Sequence, residues 1–132
     1  MNMDSKNKTK PSQYKNSSYI EAVSHALDGI KVLLKEEANL RFHFIVAILV
    51  VLLGFYVHLS RMDWLFLVLA LILVIVMECL NSMVERLTDL VVNDCYHPLA
   101  KVVKDVAAGV VLLTCIGVAV IGVLLFTPYI FK

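Results

Sequence analysis

Three long apolar stretches follow one another along the chain, and each is bounded by polar residues. They run from about Phe42 to Leu59, from Trp64 to Met77 and from Val106 to Phe126. A helix needs about 20 predominantly apolar residues to cross the core of a bilayer. The third stretch has that length, and the first two reach it when the polar residues at their ends are included. The pattern therefore predicts three transmembrane helices, at about 42–59, 64–84 and 106–126.

An amphipathic helix is predicted before the first span. Its apolar residues recur at three- and four-residue spacing, at Ile20, Val23, Leu27, Ile30 and Leu34. Ser18 followed by Glu21 matches a capping box, which places this helix at about 18–36. Next to a transmembrane helix, such a segment is expected to lie in the membrane interface. Packing on a partner domain is the alternative.

The composition excludes an ordinary soluble domain. Of the 132 residues, 60% are hydrophobic, and the mean hydropathy is +0.81. The three cysteines have no metal-type spacing and are expected to serve as small packing residues. Residues 1–16, rich in Lys, Asn and Ser, are predicted to form a disordered basic tail. Residues 17–132 are predicted to form a single all-α integral membrane domain.

The distribution of positive charge predicts the orientation in the membrane. The net charge is only +1, but seven of the 12 Lys and Arg residues precede the first span. Three more lie between the second and third spans: Arg86, Lys101 and Lys104. Because Lys and Arg accumulate on the cytoplasmic side, the N-terminus and this second connection are predicted to be cytoplasmic, in a multi-pass protein of the cell membrane.

A set of polar side chains follows the second apolar stretch without any turn signal, and we call it the polar stripe. Its members are Glu78, Asn81, Ser82, Glu85 and Asp89. At 3.6 residues per turn, they share one face of a helix. Carboxylates near hydrocarbon are costly unless they are paired, bind a cation or meet a polar substrate. The stripe therefore indicates a site that handles ions or charged groups, on the side of the membrane where nucleotides are.

A second acidic position precedes the first span. Glu37 and Arg41 have the spacing of an ordinary ion pair on a helix surface. The alternative is that Glu37 binds a cation, because it is predicted at the same depth and on the same side as Glu85. Mg²⁺ favours a few protein carboxylates together with substrate phosphates. Two carboxylates converging from two helices would suit it.

The connection between the second and third spans carries further candidates. Asn93 and Asp94 predict a turn, and Pro98 suits the start of a helix. Lys104 could be an interfacial anchor or could contact phosphate as a point charge. Tyr96 and His97 could contact a nucleotide base or simply cap the loop.

Three motifs in these regions resemble the prokaryotic diacylglycerol kinase family, and most of all its Gram-positive branch, the undecaprenol kinases. They are Glu37-x-Asn39-x-Arg41-x-His43, Glu78-x-x-Asn81-Ser82-x-x-Glu85-x-x-x-Asp89 and Tyr96-His97-Pro98-Leu-Ala-Lys101-x-x-Lys104-Asp105. The resemblance extends from about Ile20 to the end of the chain. The GxxxxGK[ST] phosphate loop of soluble kinases does not occur in the sequence, as expected for a family unrelated to other kinases.

The resemblance implies a role for each matched residue. Glu78 would be the general base for the lipid hydroxyl, with Asn81 and Asp105 supporting catalysis. Glu37 and Glu85 would bind Mg²⁺ and, through it, ATP. The remaining implied contacts are Tyr96, His97, Lys104 and Asp105 to the nucleotide, and Asn39 and Arg41 to the lipid. The resemblance also implies a homotrimer, with active sites at or between subunits.

The sequence therefore predicts a membrane lipid kinase that uses ATP and Mg²⁺ and has no nucleic-acid partner. Undecaprenol is the preferred acceptor because the motifs most resemble the undecaprenol kinases. Diacylglycerol is the alternative, since nothing in the apolar spans distinguishes the two. A small cation-coupled transporter using Glu78 is an alternative of another class, although such transporters place their essential acid near the membrane midplane. A non-catalytic membrane subunit is a third, for which so many aligned ionisable groups would be unnecessary.

Overall fold

The structure is a computed structural model that describes residues 19–131. The predicted tail at 1–16, the capping residue Ser18 and the terminal Lys132 lie outside the described residues. Within the described range every regular element is an α-helix: α1 Tyr19–Glu36, α2 Ala38–Tyr56, α3 Arg61–Val92 and α4 Pro98–Ile130. The predicted all-α architecture is confirmed. The chain divides into two compact units between Lys31 and Val32, and the contacts described below lie within the second unit.

Three of the helices are long and apolar enough to cross a membrane. They are α2, α3 and α4, with mean hydropathies of 2.1, 2.5 and 2.8 over their most apolar windows. The predicted spans fall on these helices, although the first extends three residues beyond the end of α2 at Tyr56. α3 continues to Val92 and α4 begins at Pro98. The polar stripe and the residues Lys101, Lys104 and Asp105 are therefore held on helices and not on loops.

α1 exposes its apolar positions. Ile20, Val23, Leu27 and Ile30 are all at least half exposed, and the helix contains no buried residue. This helix agrees in position with the predicted surface helix, and its place in the membrane interface stays a prediction.

A single residue separates α1 from α2. Glu37 adopts an extended backbone conformation, with φ −95° and ψ 108°. The guanidinium of Arg41 donates from Nη1 to the carbonyl oxygens of Leu34 at 3.1 Å and Lys35 at 2.8 Å. These carbonyls belong to the last turn of α1, where backbone acceptors lack intrahelical partners. Arg41 therefore caps the end of α1.

α3 and α4 are antiparallel and form the main packing contact, while α2 packs on α3. A small apolar core fills the end near the α2–α3 turn and consists of Leu59, Leu67, Leu125 and Phe126. Gly54 allows close approach there, because a Cβ atom at this position would lie 3.0 Å from both Leu59 and Trp64.

Polar contacts join the same end of the structure. Ser60 caps α3, with its Oγ accepting from the backbone N–H of Asp63 at 3.2 Å. Tyr129 of α4 donates its hydroxyl to Asp63 Oδ2 at 2.5 Å and accepts from the Ser60 N–H at 3.1 Å. We call Ser60, Asp63 and Tyr129 the outer clamp. It ties the last turn of α4 to the first turn of α3.

The connection between α3 and α4 has the predicted geometry. Asn93 and Asp94 both adopt positive φ, 49° and 56°, and Asn93 ends α3 in the left-handed conformation. His97 caps α4 through its ring, whose Nδ1 accepts from the Leu99 N–H at 3.2 Å. Pro98 occupies the start of α4, where its missing N–H costs nothing. The turn and the helix start predicted from the sequence are both present.

Candidate functional site

The polar stripe begins inside the packed part of α3. Glu78 is 3% exposed, Asn81 8% and Ser82 2%, which makes them the buried polar residues of the described chain. The helical spacing places them on the face of α3 that also carries the buried Ala70 and Val74. A polar group buried without a partner is costly. This part of the stripe is therefore the first place to look for a bound ligand.

The Glu78 carboxylate has no protein partner. Within residues 19–131 no side chain or backbone group donates a hydrogen bond to it, and no cation pairs with it. Both carboxylate oxygens thus remain available to accept from an approaching hydroxyl. The arrangement suits a general base, which must have a free lone pair within hydrogen-bond reach of the proton it removes.

Asn81 joins this position to the next acid along the stripe. Its Nδ2 donates to Glu85 Oε1 at 2.9 Å. Its other amide atom, Oδ1, is buried and has no hydrogen-bond partner within the described chain. Asn81 therefore fixes the orientation of Glu85 and leaves one buried acceptor free for a ligand.

Glu37 is joined to α3 by an ion pair with Arg86. Arg86 donates from Nη2 to Glu37 Oε1 and to Glu36 Oε2, both at 2.9 Å. Arg86 follows Glu85 directly in the sequence. The structure therefore places Glu37, about 50 residues away in the chain, against the turn of α3 that carries Glu85. Convergence of the two carboxylates on one cation stays a prediction.

Two further ion pairs lie beyond these residues. Lys104 of α4 donates to Asp89 Oδ1 of α3 at 2.5 Å. Lys101 pairs with Asp105 one turn away on α4. An ammonium group has three N–H donors, so Lys104 can retain Asp89 and still contact a phosphate oxygen. The structure thus connects Lys104 to the polar stripe.

Tyr96 and His97 lie beside a pocket at the same end of α3 and α4. Tyr96 is 80% exposed, while His97 uses its ring to cap α4. The pocket has a volume of about 620 Å³ and is lined mainly by apolar side chains, among them Leu87, Val91 and Val103. A flat aromatic base would fit such a lining. The capping role that the sequence left open for His97 is also present.

The two residues assigned to the lipid differ in what they contact. Asn39 is exposed at the start of α2. Arg41 uses Nη1 to cap α1, which leaves its Nε and Nη2 donors. A long apolar groove of about 700 Å³ runs between α2, α3 and α4 and includes Val74 and Ile75, one turn before Glu78.

The carboxylates at this end of α3 suit a metal ion that arrives already bound to substrate phosphates. Within residues 19–131 no three His, Cys, Asp or Glu side chains gather closely enough to hold a metal ion by themselves. Mg²⁺ commonly takes one or two protein carboxylates and completes its coordination with phosphate oxygens and water. Glu37 and Glu85 each have one carboxylate oxygen outside the hydrogen bonds described above. These two oxygens are the ones that a Mg²⁺ ion arriving with a nucleotide would take.

For Arg86 the sequence predicts only a part in the charge bias that orients the chain, and for Glu36 it predicts no role. The signal available was the position of Arg86 directly after Glu85 on a predicted helix. Its contact with residues 36 and 37 depends on tertiary packing and has no counterpart in local spacing.

Comparisons with known proteins show the family of the chain. The profile of the prokaryotic diacylglycerol kinase family matches residues 24–126. The undecaprenol kinase of Bacillus subtilis is 36% identical over 110 residues, which cover 83% of this chain and 89% of that protein. The diacylglycerol kinase of Synechocystis is 35% identical over 104 residues, covering 79% of this chain and 59% of that protein. The diacylglycerol kinase of Helicobacter pylori J99 is 34% identical over 110 residues, covering 83% and 85%.

The family resemblance predicted from the three motifs is confirmed. The matched profile covers all of α2 and α3 and most of α4. These relatives are kinases by name, and they give no support to a transporter or a non-catalytic subunit. With three apolar helices of transmembrane length, the chain belongs to the prokaryotic diacylglycerol kinase family and is a multi-pass membrane lipid kinase.

Proposed function

We propose that the protein transfers the γ-phosphate of ATP to the hydroxyl group of undecaprenol, giving undecaprenyl phosphate and ADP. Diacylglycerol, which would give phosphatidic acid, is the alternative acceptor. The observation that carries the proposal is the buried Glu78 carboxylate, which has no protein partner within the described chain. It lies at the end of an apolar stretch, where a lipid hydroxyl and a phosphate from the aqueous side can meet.

In the proposed reaction Glu78 accepts the proton of the lipid hydroxyl. The hydroxyl oxygen forms a bond to the γ-phosphorus as the bond from that phosphorus to the β–γ bridging oxygen breaks, and ADP leaves. Phosphoryl transfer depends chiefly on in-line positioning and charge neutralisation. Asn81 would help to position the groups beside Glu78, while the single proton of the lipid hydroxyl goes to the Glu78 carboxylate.

The nucleotide end is assigned to the residues that surround Glu85. Glu37 and Glu85 would hold Mg²⁺, which neutralises charge on the transferred phosphoryl group. Lys104, paired with Asp89 at 2.5 Å, would extend a second N–H to the phosphate chain. Asp105 would support this end of the site, while Tyr96 and His97 would lie against the base. The excess of Lys and Arg in the N-terminal region and in the second connection supports a cytoplasmic location for these groups, in the cell membrane.

The lipid end combines polar and apolar surfaces. Asn39 and Arg41 would contact the polar head of the acceptor, and the groove that includes Val74 would take part of an apolar chain. Undecaprenol is preferred because the three motifs most resemble the Gram-positive undecaprenol kinases. Coverage does not separate the acceptors, since 89% of the Bacillus subtilis undecaprenol kinase and 85% of the Helicobacter pylori J99 diacylglycerol kinase are matched. The identities themselves, 36% and 35%, do not separate the two acceptors.

A direct assay tests both the reaction and the acceptor. Purified protein in detergent is given γ-labelled ATP and Mg²⁺ with undecaprenol or diacylglycerol in separate reactions, and label in the lipid fraction is measured. We expect the rate with undecaprenol to exceed that with diacylglycerol at least tenfold. Comparable rates would contradict the choice of acceptor. No labelled lipid with either acceptor would contradict this proposed reaction.

A further inference from the structure

Arg86 forms two ion pairs that a role in stability does not fully explain. It is 43% exposed, and its partners Glu36 and Glu37 are 52% and 24% exposed. Ion pairs with this exposure contribute little to stability, because water and salt screen them and their long side chains lose freedom. Here one cation also faces two carboxylates, so the group of three keeps a net negative charge. A role in stability alone is therefore a weak account of Arg86.

The guanidinium retains unused hydrogen-bond donors. Both of its contacts use Nη2. The Nε and Nη1 groups make no hydrogen bond within residues 19–131. A guanidinium carries five N–H donors in a planar fork, a geometry that matches two oxygens of one phosphate. Arg86 therefore presents several free donors next to Glu37, one of the two proposed Mg²⁺ ligands, and it follows the other, Glu85, directly in the sequence.

We infer that Arg86 is a further nucleotide-binding residue, which Glu36 and Glu37 hold in place while the site is empty and which contacts the polyphosphate of ATP when the site is filled. The inference rests on the proposed function. The unused Nε and Nη1 donors can meet phosphate with or without the metal, and a cation that binds to Glu37 withdraws further negative charge from its ion pair with Arg86. The incoming phosphate oxygens then offer the guanidinium a stronger partner. Exchange of partners, from carboxylate to phosphate, would couple nucleotide binding to ordering of the metal ligands.

The test is equilibrium binding of ATP to the full-length protein in detergent, without lipid acceptor, in excess Mg²⁺ and separately in EDTA. We expect Arg86→Gln to raise the Kd for ATP about tenfold in both conditions, as for loss of one charge-assisted hydrogen bond. Arg86→Lys keeps the charge but loses the fork, and we expect a smaller rise. Arg61→Gln removes an exposed arginine from the other end of α3 and serves as the matched control.

Glu36→Gln separates direct binding from a structural role. Under the proposal it removes a competing carboxylate, so the Kd for ATP stays the same or falls. Weaker binding in both Glu36→Gln and Arg86→Gln would overturn the proposal and assign the ion pairs a structural role. A rise in Kd for Arg86→Gln that is confined to excess Mg²⁺ would overturn it too, because Arg86 would then act only through the metal ligand Glu37.

The two proposals fail separately in these experiments. If the wild-type protein phosphorylates undecaprenol while both Arg86 variants bind ATP as it does, only the inference about Arg86 is wrong. If the wild-type protein binds ATP but labels neither lipid, the proposed reaction is wrong, whatever the Arg86 variants do. The elution profile of each variant on size exclusion verifies that it is folded, and Arg86→Lys preserves the test should Arg86→Gln fail to fold.

Discussion

At the level of single residues, helical spacing was enough to predict part of the candidate site. The shared face of Glu78, Asn81 and Ser82 follows from 3.6 residues per turn, and all three are buried in the structure. The bond from Asn81 to Glu85 is also a local contact, between residues four apart. The contact between Arg86 and Glu37 is different, because it joins residues 49 apart. Only the packing of α3 near the start of α2 creates it.

Replacement of Glu78 tests the role of the buried carboxylate. Glu78→Gln keeps the size of the side chain but removes its ability to take a proton. We expect the turnover number to fall at least about 100-fold, the lower range for loss of a general base. The Kd for ATP should change less than threefold, since Glu78 does not contact the nucleotide. Lipid labelling and ATP binding measured on the same preparation provide both quantities.

The adjacent Cys79 supplies a control for this experiment. It lies on the same turn, is partly buried and has no assigned role. Cys79→Ala should retain most of the activity. If Glu78→Gln turned over at the wild-type rate, or lost ATP binding together with activity, the role of Glu78 as the base would be contradicted.

At the level of helices, the predicted surface helix ends near residue 36, as α1 does, whereas α3 and α4 extend beyond the predicted spans. No local signal explains why the chain breaks at Glu37. Asn93, Asp94 and Pro98 are residue types with known backbone preferences, so the α3–α4 connection could be predicted. The break at Glu37 has no Gly or Pro beside it. It is stabilised instead by the side chain of Arg41, which reaches back to the carbonyls of Leu34 and Lys35. The sequence spacing is that of a helical ion pair between Glu37 and Arg41. In the structure, Glu37 pairs with Arg86 instead.

The outer clamp gives a prediction about helix packing. Tyr129→Phe removes the hydroxyl that joins Asp63 to the Ser60 N–H and leaves both groups without that partner. We expect the free energy of unfolding to fall only modestly, because Ser60 and Asp63 are accessible to water, which replaces part of the lost hydrogen bonding. Unfolding can be followed by circular dichroism during titration with a denaturing detergent. Tyr56→Phe is the matched control, because Tyr56 is 81% exposed; an equal loss in the two variants would contradict a specific role for the clamp.

At the level of the whole molecule, the apolar surface agrees with a membrane protein and leaves room for further copies of the chain. Large hydrophobic side chains on α2, α3 and α4 remain exposed, including Phe55, Leu69 and Leu113. Either a bilayer or an adjacent subunit would cover such faces. The all-helical class and the three spans could be predicted from composition and length alone. The homotrimer came from family resemblance and stays a prediction.

The oligomeric state can be measured directly. We expect the purified protein in detergent to have a protein mass of three chains of 14.8 kDa, as determined by light scattering with the detergent contribution subtracted. If active sites form between subunits, mixing an inactive Glu78→Gln chain with an inactive Lys104→Gln chain should restore part of the activity. A monomeric mass in a fully active preparation would contradict the trimer.

The outer clamp and the Asp89–Lys104 pair define the length of helix between the two ends of the α3–α4 contact. About 25 residues separate the two contacts on each of α3 and α4, or about 38 Å of helix. The hydrocarbon core of a bilayer is only about 30 Å thick, or about 20 helical residues. When Asp63 is placed at one edge of that core, the other edge falls near Met83. Glu78 then lies about one turn inside the hydrocarbon, while Glu85 and Asp89 lie outside it.

Contacts at both ends of α3 and α4 oppose sliding of one helix past the other. With the membrane placed in this way, a change in bilayer thickness would be met by a tilt of the pair. Such a tilt would keep Glu78, the proposed base, on the lipid side of the boundary and the proposed nucleotide residues on the water side.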